Sequence, residues 1–267
     1  MKKYNTLLSK LIFIIIITLM LIPKSIYAED VSFIPRAWVG VADYEYKQDA
    51  RKGAMSDGSD FPEVKFNVTF LMTGLGLTSI YDRYYIDLSY QDSSDESDSF
   101  SSGGFYEKFH GSRRDYSTTL GMKVLDNRGN IYIGYKNGKT SGRGNLGTHL
   151  TFKEDGPFIG ASYGWLITDK GFLSINAAYA DLDGHLKEEP GASYPAGLGM
   201  DADSTTTGLS YGISWTGMIL PTLGYSIGID ANDYKFDDLK DKSTDIPLPD
   251  KIEETLYTGK LSIFYRF

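Results

Sequence analysis

Glu63-Val64-Lys65-Phe66-Asn67-Val68-Thr69-Phe70-Leu71-Met72-Thr73-Gly74 alternates with period two. Its even positions, Val64, Phe66, Val68, Phe70 and Met72, are apolar, whereas Glu63, Lys65, Asn67, Thr69 and Thr73 are polar. Successive side chains of a strand point to opposite faces, so this run describes a ribbon with one oily and one wet side. After residue 28 no long stretch carries apolar residues at the helical spacing i, i+3, i+4, i+7.

The same alternation recurs in about ten places by the strand template. The spans are 34–47, 63–75, 82–91, 115–125, 130–137, 156–167, 172–182, 205–216, 223–235 and 255–267. A soluble sandwich would alternate too, so the connections decide. Long polar ones, 48–62, 92–114, 138–155, 183–204 and 236–254, take turns with short ones near 76–81, 126–129, 168–171 and 217–222. The short ones carry turn chemistry such as Asp126-Asn127-Arg128-Gly129. Long outer loops and short periplasmic turns describe an all-β fold: a transmembrane, antiparallel, up-and-down β-barrel. About ten strands are expected, or twelve if 138–155 or 183–204 hides a further hairpin.

The chain start fits export. Lys2, Lys3 and Lys10 flank the apolar run Leu11 to Pro23, followed by Ser25-Ile26-Tyr27-Ala28. This is the plan of a cleaved signal peptide over 1–28, leaving 29–267 as one barrel domain. The apolar run is shorter than the ~20 residues of a spanning helix. The formal charge of −8 becomes −12 once the leader's four lysines leave. So acidic a chain lacks the basic surface that nucleic acid requires. With no cysteine, disulfides, thiolate metal sites and thiol nucleophiles are excluded.

If the even face of 63–74 meets lipid, the rest can be assigned by parity. Trp38, Trp165 and Trp215 then form an outward girdle at the periplasmic interface, and Tyr44, Tyr90, Tyr116, Tyr135, Tyr179 and Tyr257 an outer one. The inward positions supply a lumen charge network of Asp43, Glu45, Glu63, Lys65, Arg83, Asp87, Lys123, Lys136, Lys260 and Arg266. Facing it is a wall of Gly and Ser, including Gly160, Ser162, Gly164, Ser210 and Gly212. Near-balanced charges in a narrow barrel are expected to pair into a plug.

The chain ends Leu261-Ser262-Ile263-Phe264-Tyr265-Arg266-Phe267. This resembles the C-terminal insertion signal of Gram-negative outer-membrane β-barrels, with Tyr265 and Phe267 as its outward aromatics. The resemblance implies residence in the outer membrane and delivery by the barrel-assembly machinery. Outer-membrane lipids and lipopolysaccharide are then the surrounding partners, with a surface ligand or host factor beyond them.

Catalytic patterns are weak. Gly-x-Ser-x-Gly occurs at 160–164 and 208–212, but inside strands rather than at a strand-turn-helix elbow. His110, His149 and His185 fall in or beside long loops. His185 follows Asp181-Leu182-Asp183-Gly184, an acid–His arrangement that resembles the omptin proteases, which also have ten strands. No catalytic residue, metal or cofactor is assigned. The expected function is non-enzymatic, a porin-like structural or surface-interaction barrel acting through acidic extracellular loops. The alternatives are a narrow channel for ions or small polar solutes and, more remotely, a hydrolase of omptin or lipid A-modifying type.

Overall fold

The structure is a computed structural model that describes residues 31–267 except 56, 103–104, 146, 170, 190, 192–198 and 243–247. Residues 1–28, read above as a leader, lie outside the described residues.

The described chain is strand and connection. The segments are β1 (Val31–Gln48), β2 (Val64–Tyr81), β3 (Tyr84–Ser93), β4 (Glu96–Ser102), β5 (Phe105–Val124), β6 (Gly129–Gly144), β7 (His149–Thr168), β8 (Gly171–Glu189), β9 (Met200–Met218), β10 (Leu223–Asp241) and β11 (Ile252–Tyr265). Apart from β3 and β4, which do not pair with each other, sequence neighbours pair antiparallel, β1 pairs β11, and β3 closes on β5. β3 and β4 both pair β5 and are the lower and upper lengths of one staggered strand, interrupted at 94–95. The barrel is therefore closed with ten strands, and the twelve-strand alternative does not hold. The β2–β3 and β3–β5 ladders close the sheet over the lower lengths of these strands, where a lipid environment demands that no edge be left.

The short turns fall at one end, with Asp82, Asp126 and Asn127 in the left-handed region that short Asx side chains tolerate. The expected long loops are largely strand. Within 138–155 the alternation simply continues, with Leu150, Phe152 and Glu154 inside and Lys153 outside. The Gly156-Pro157 step interrupts the β7–β8 ladder, where proline has no amide to give and Gly156 has φ of +156°, and a register shift between Leu166 and Thr168 precedes the turn.

These extensions divide the barrel into two halves. Most strands have 18 to 20 residues, whereas a tilted strand needs only about 9–11 to cross a bilayer. The surplus stands in water, where the oily side must face in. β1 displays the exchange along one strand. Its outward residues run Val39, Val41, then Asp43, Glu45, Lys47; its inward ones run Arg36, Trp38, Gly40, then Ala42, Tyr44, Tyr46. Val39 and Val41 are 52% and 54% exposed, while Tyr44 and Tyr46 are each 1% exposed.

This overturns the assignment of faces on β1 and β2. Val68, Phe70 and Met72 are not lipid-facing; they pack inside the upper half with Tyr44, Tyr46, Phe152, Leu186, Phe236 and Ile252. The oily side of Glu63–Gly74 is the core of a water-surrounded barrel segment. The lipid belt lies lower, on Leu120, Ile133, Ile159, Ile175, Leu209, Ile229 and Ile263, all exposed and apolar.

Candidate functional site

Two places concentrate chemistry: the buried interior where the halves meet, and the hydrated outer wall above the lipid belt.

Arg113 on β5 organises the interior. It is 1% exposed and reaches carboxylates on three strands. Its Nη2 lies 2.8 Å from Asp115, it pairs closely with Glu154 on β7, and its Nη1 lies 3.4 Å from Glu254 on β11. Thr140 accepts at 2.8 Å, Gln91 donates to Asp115 at 2.7 Å, and Tyr44 donates to Glu254 at 2.6 Å. Beside it Lys136 bonds the Tyr234 hydroxyl, its ammonium 4.3 Å from the centre of that ring. Gly138 leaves the space for this meeting, because a Cβ there would strike both the Glu154 carboxylate and Arg113.

Above the cluster the interior is apolar and filled. Rings of Tyr46 and Phe152 lie 4.7 Å apart, and those of Phe152 and Phe236 6.3 Å. The first upper connection folds onto this core: Arg51 and Phe61 exchange backbone hydrogen bonds of 2.9 Å, both are buried, and Arg51 pairs with Glu188. At the exposed rim, a 3.0 Å bond to Asp250 holds the Lys52 ammonium above the ordinary lysine range.

Below the cluster the lumen is polar. Arg36 grips Asp87 at 2.7 Å, Lys260 pairs with Asp230 at 3.0 Å, and Ser174 bonds Ser214 at 2.8 Å. The glycine wall meets the Lys260–Asp230 pair at Gly212 but is otherwise not faced by the expected charged arms at Gly160 and Gly164. Rings from adjoining strands lie on it, Tyr132 over Gly160 and Phe172 over Gly164.

The ten charges expected in the lumen therefore separate. Asp87, Lys136 and Lys260 point inward and are paired as described. Lys123 is half-buried near the lower mouth, within electrostatic reach of Arg266, which is exposed there. Asp43, Glu45 and Lys65 must be corrected: they lie on the outer wall, where Lys65 meets Glu45 at 2.7 Å. Glu63 precedes β2 and is exposed 4.0 Å from Lys47. Arg83 sits in the short turn after Asp82. The cause is the same inversion, since charged residues on the outward face of the upper half meet water rather than lipid.

The tryptophans are also corrected in part. Trp165 is 40% exposed on the outer face, and Trp215 lies outward across Gly171. Trp38 faces inward, 8% exposed, over Gly74 and beneath the Arg36 guanidinium. Tyr44 likewise leaves the outer girdle for the core. Tyr265 closes β11, and its ring meets that of Phe267 at 4.8 Å.

The sequence reading missed Arg113, Asp115, Glu154 and Glu254, because most fell in or beside segments taken as loops. The available signal was the alternation Ile252, Glu254, Leu256 between Glu253 and Thr255, which places a carboxylate on an apolar face.

On the outer wall His185 Nδ1 lies 3.0 Å from Asp203, and its Nε2 3.7 Å from Asp201. His185 and Asp203 border an open hollow of about 400 Å³ with Lys153, Asp155, Asp183 and Lys242. Lys242 contacts the same Asp203 oxygen at 2.6 Å and so competes with His185 for it. Ser204 turns inward, away from the histidine. Ser162 and Ser210, the centres of the two Gly-x-Ser-x-Gly runs, are bonded inside the lumen to Asn130 and Asn232. Among the described residues no group of three His, Asp or Glu is arranged to hold a metal ion.

No protein-family model matches the sequence, and no curated protein matches it. Solved structures do. The outer membrane protease OmpT from Escherichia coli superposes with a TM-score of 0.62 at 10% identity, over 88% of this chain and 97% of that one. The translocator domain of autotransporter NalP from Neisseria meningitidis gives 0.44 at 10% identity, over 90% of each chain. Neisserial surface protein A gives 0.37 at 8% identity, over 90% of this chain and all of the other. The fold is that of bacterial outer-membrane β-barrels, and the apolar belt is the surface such a barrel buries in that membrane.

Proposed function

We propose that the protein is a closed, non-conducting outer-membrane barrel that works at its outer surface. The reading rests on one observation: among the described residues the interior carries buried ion pairs at the Arg113 cluster, packed rings above them and the buried Phe61 beyond. A transported solute would have to displace both buried ion pairs and packed rings. The upper half then serves as a pedestal, raising charged walls and connections above the lipid, where a rigid scaffold offers its loops to partners. Outer-membrane lipid and lipopolysaccharide surround the belt, the barrel-assembly machinery inserts the chain through its Tyr265–Phe267 end, and a surface ligand or host factor meets the top. Nucleic acid has no place in this scheme.

Planar-bilayer recording of the refolded protein tests it. Silent membranes are expected; discrete steps from the wild type would favour the narrow-channel reading, with Lys260–Asp230 and Arg36–Asp87 lining the conduit.

A second reading is hydrolysis. It draws on the His185–Asp203 contact beside Asp155 and Asp183, together with the barrel shape shared with a protease. An acid–His group can activate water only where a substrate converges on it. Here it would have to act on a chain lying along the outer wall. Cleavage of a peptide library that disappears in His185→Ala would establish it, and an inert wild type would remove it.

A further inference from the structure

The buried cluster does not balance. The charged groups facing it are Arg113 and Asp115 from β5, Lys136 from β6, Glu154 from β7 and Glu254 from β11. Tyr44 from β1, Gln91 from β3 and Tyr234 from β10 contribute only neutral groups. Above and below the cluster, Arg51–Glu188, Arg36–Asp87 and Lys260–Asp230 are each paired among themselves. Two cations thus stand against three carboxylates. An uncompensated charge in such a place is strongly unfavourable, and a carboxyl normally escapes it by taking up a proton.

The contacts identify where that proton goes. Asp115 is saturated: Arg113 approaches it through Nε and Nη2, and Gln91 donates to it as well. Glu154 is fully buried with Oε1 on Arg113, while its Oε2 has no partner. Glu254 makes the longest of the Arg113 contacts, 3.4 Å, and takes its shorter bond from a neutral phenol. Both of these carboxyls have a weakly held or unheld oxygen.

We propose that the cluster retains one carboxyl proton in the folded barrel, held at Glu254, so that it is a single-proton site strengthening the closure of the interior. The inference rests on the closed-barrel reading above. Its sign follows from linkage. A folded state that retains a carboxyl proton which the unfolded chain has lost becomes less stable as pH rises, until the folded state loses it too.

The test is urea unfolding of the detergent-refolded full barrel between about pH 5 and pH 9, wild type beside Glu254→Gln. The ratio of the wild-type to the variant unfolding constant should rise with pH, by up to about tenfold per unit while one proton separates the states. Comparison with the variant cancels the other carboxylates, whose pairing gives the opposite slope. Should Glu254→Gln fail to fold, Glu154→Gln provides the same comparison. Infrared difference spectra between acidic and alkaline wild-type barrel provide a second readout, the C=O stretch of a buried carboxylic acid. Parallel unfolding curves and no such band would overturn the proposal. Stabilisation at alkaline pH by sodium or potassium chloride but not choline chloride would also overturn it, assigning the missing charge to a metal cation. Wild-type conductance steps at every pH would instead defeat the closed-barrel reading, leaving the proton count to be judged by the unfolding data.

Discussion

Tyr44 and Glu254 meet inside the barrel through a 2.6 Å hydrogen bond that ties the first strand to the last, 210 residues apart in sequence. The hydroxyl is buried and so is its acceptor, hence neither can turn to water. Tyr44→Phe keeps the ring against Phe70 and removes only the donor. A buried acceptor left unsatisfied costs about 1–3 kcal/mol. The expected outcome is a lower urea midpoint with unchanged β-sheet circular dichroism.

Arg113→Met should be more severe. The substituted chain fills much of the space but leaves the three carboxyls of Asp115, Glu154 and Glu254 with Lys136 alone for a cation. Breaking a buried ionic group by removing one partner costs about 3–5 kcal/mol, chiefly through the charges left behind. Adding Glu154→Gln to Arg113→Met should recover part of that loss, because one of the stranded charges disappears. Equal midpoints for the single and double variants would contradict the assigned geometry.

Single-tryptophan variants report on which way the wall faces. Trp165 and Trp215 lie on the outer face, Trp38 in the lumen. In vesicles of brominated lipid, fluorescence from the first two should be quenched strongly and that from Trp38 hardly at all. Equal quenching of all three would restore the girdle expected from sequence.

Much of the architecture was readable because period two survives any environment. The ten strands, their order and three of the four short turns follow from alternation and turn residues alone; the turn expected near 76–81 lies instead at Asp82 and Arg83, because β2 runs on to Tyr81. What alternation does not carry is which face meets which solvent. In Ile159, Ala161, Tyr163 the oily parity faces lipid, and in Val68, Phe70, Met72 it faces a dry interior. The two runs look alike as text. They differ in height relative to the bilayer, which depends on strand length, and length was underestimated wherever Asp, Ser and Lys on the hydrated outer wall resembled loop composition. The Arg113 cluster was lost for the same reason. Its charged members stand on four strands, β5, β6, β7 and β11, whose register only closure of the barrel defines.

Phe152 and Lys153, neighbours on β7, provide the sharpest test of that two-solvent arrangement. Phe152 is fully buried between Tyr46 and Phe236, whereas Lys153 is exposed on the outer wall. Removing the ring leaves a cavity in a packed core, a loss of about 3–5 kcal/mol for Phe→Ala. Lys153→Ala removes a solvated chain and should leave the unfolding midpoint where it was. If this height of the barrel were lipid-embedded with its oily side outward, the order would reverse. Phe152→Ala would then exchange one lipid contact for another at small cost, and Lys153→Ala would relieve a charge from the lumen. The ratio of the two effects therefore reports where the membrane ends, because only water outside and close packing inside make the phenylalanine the costly one of the pair.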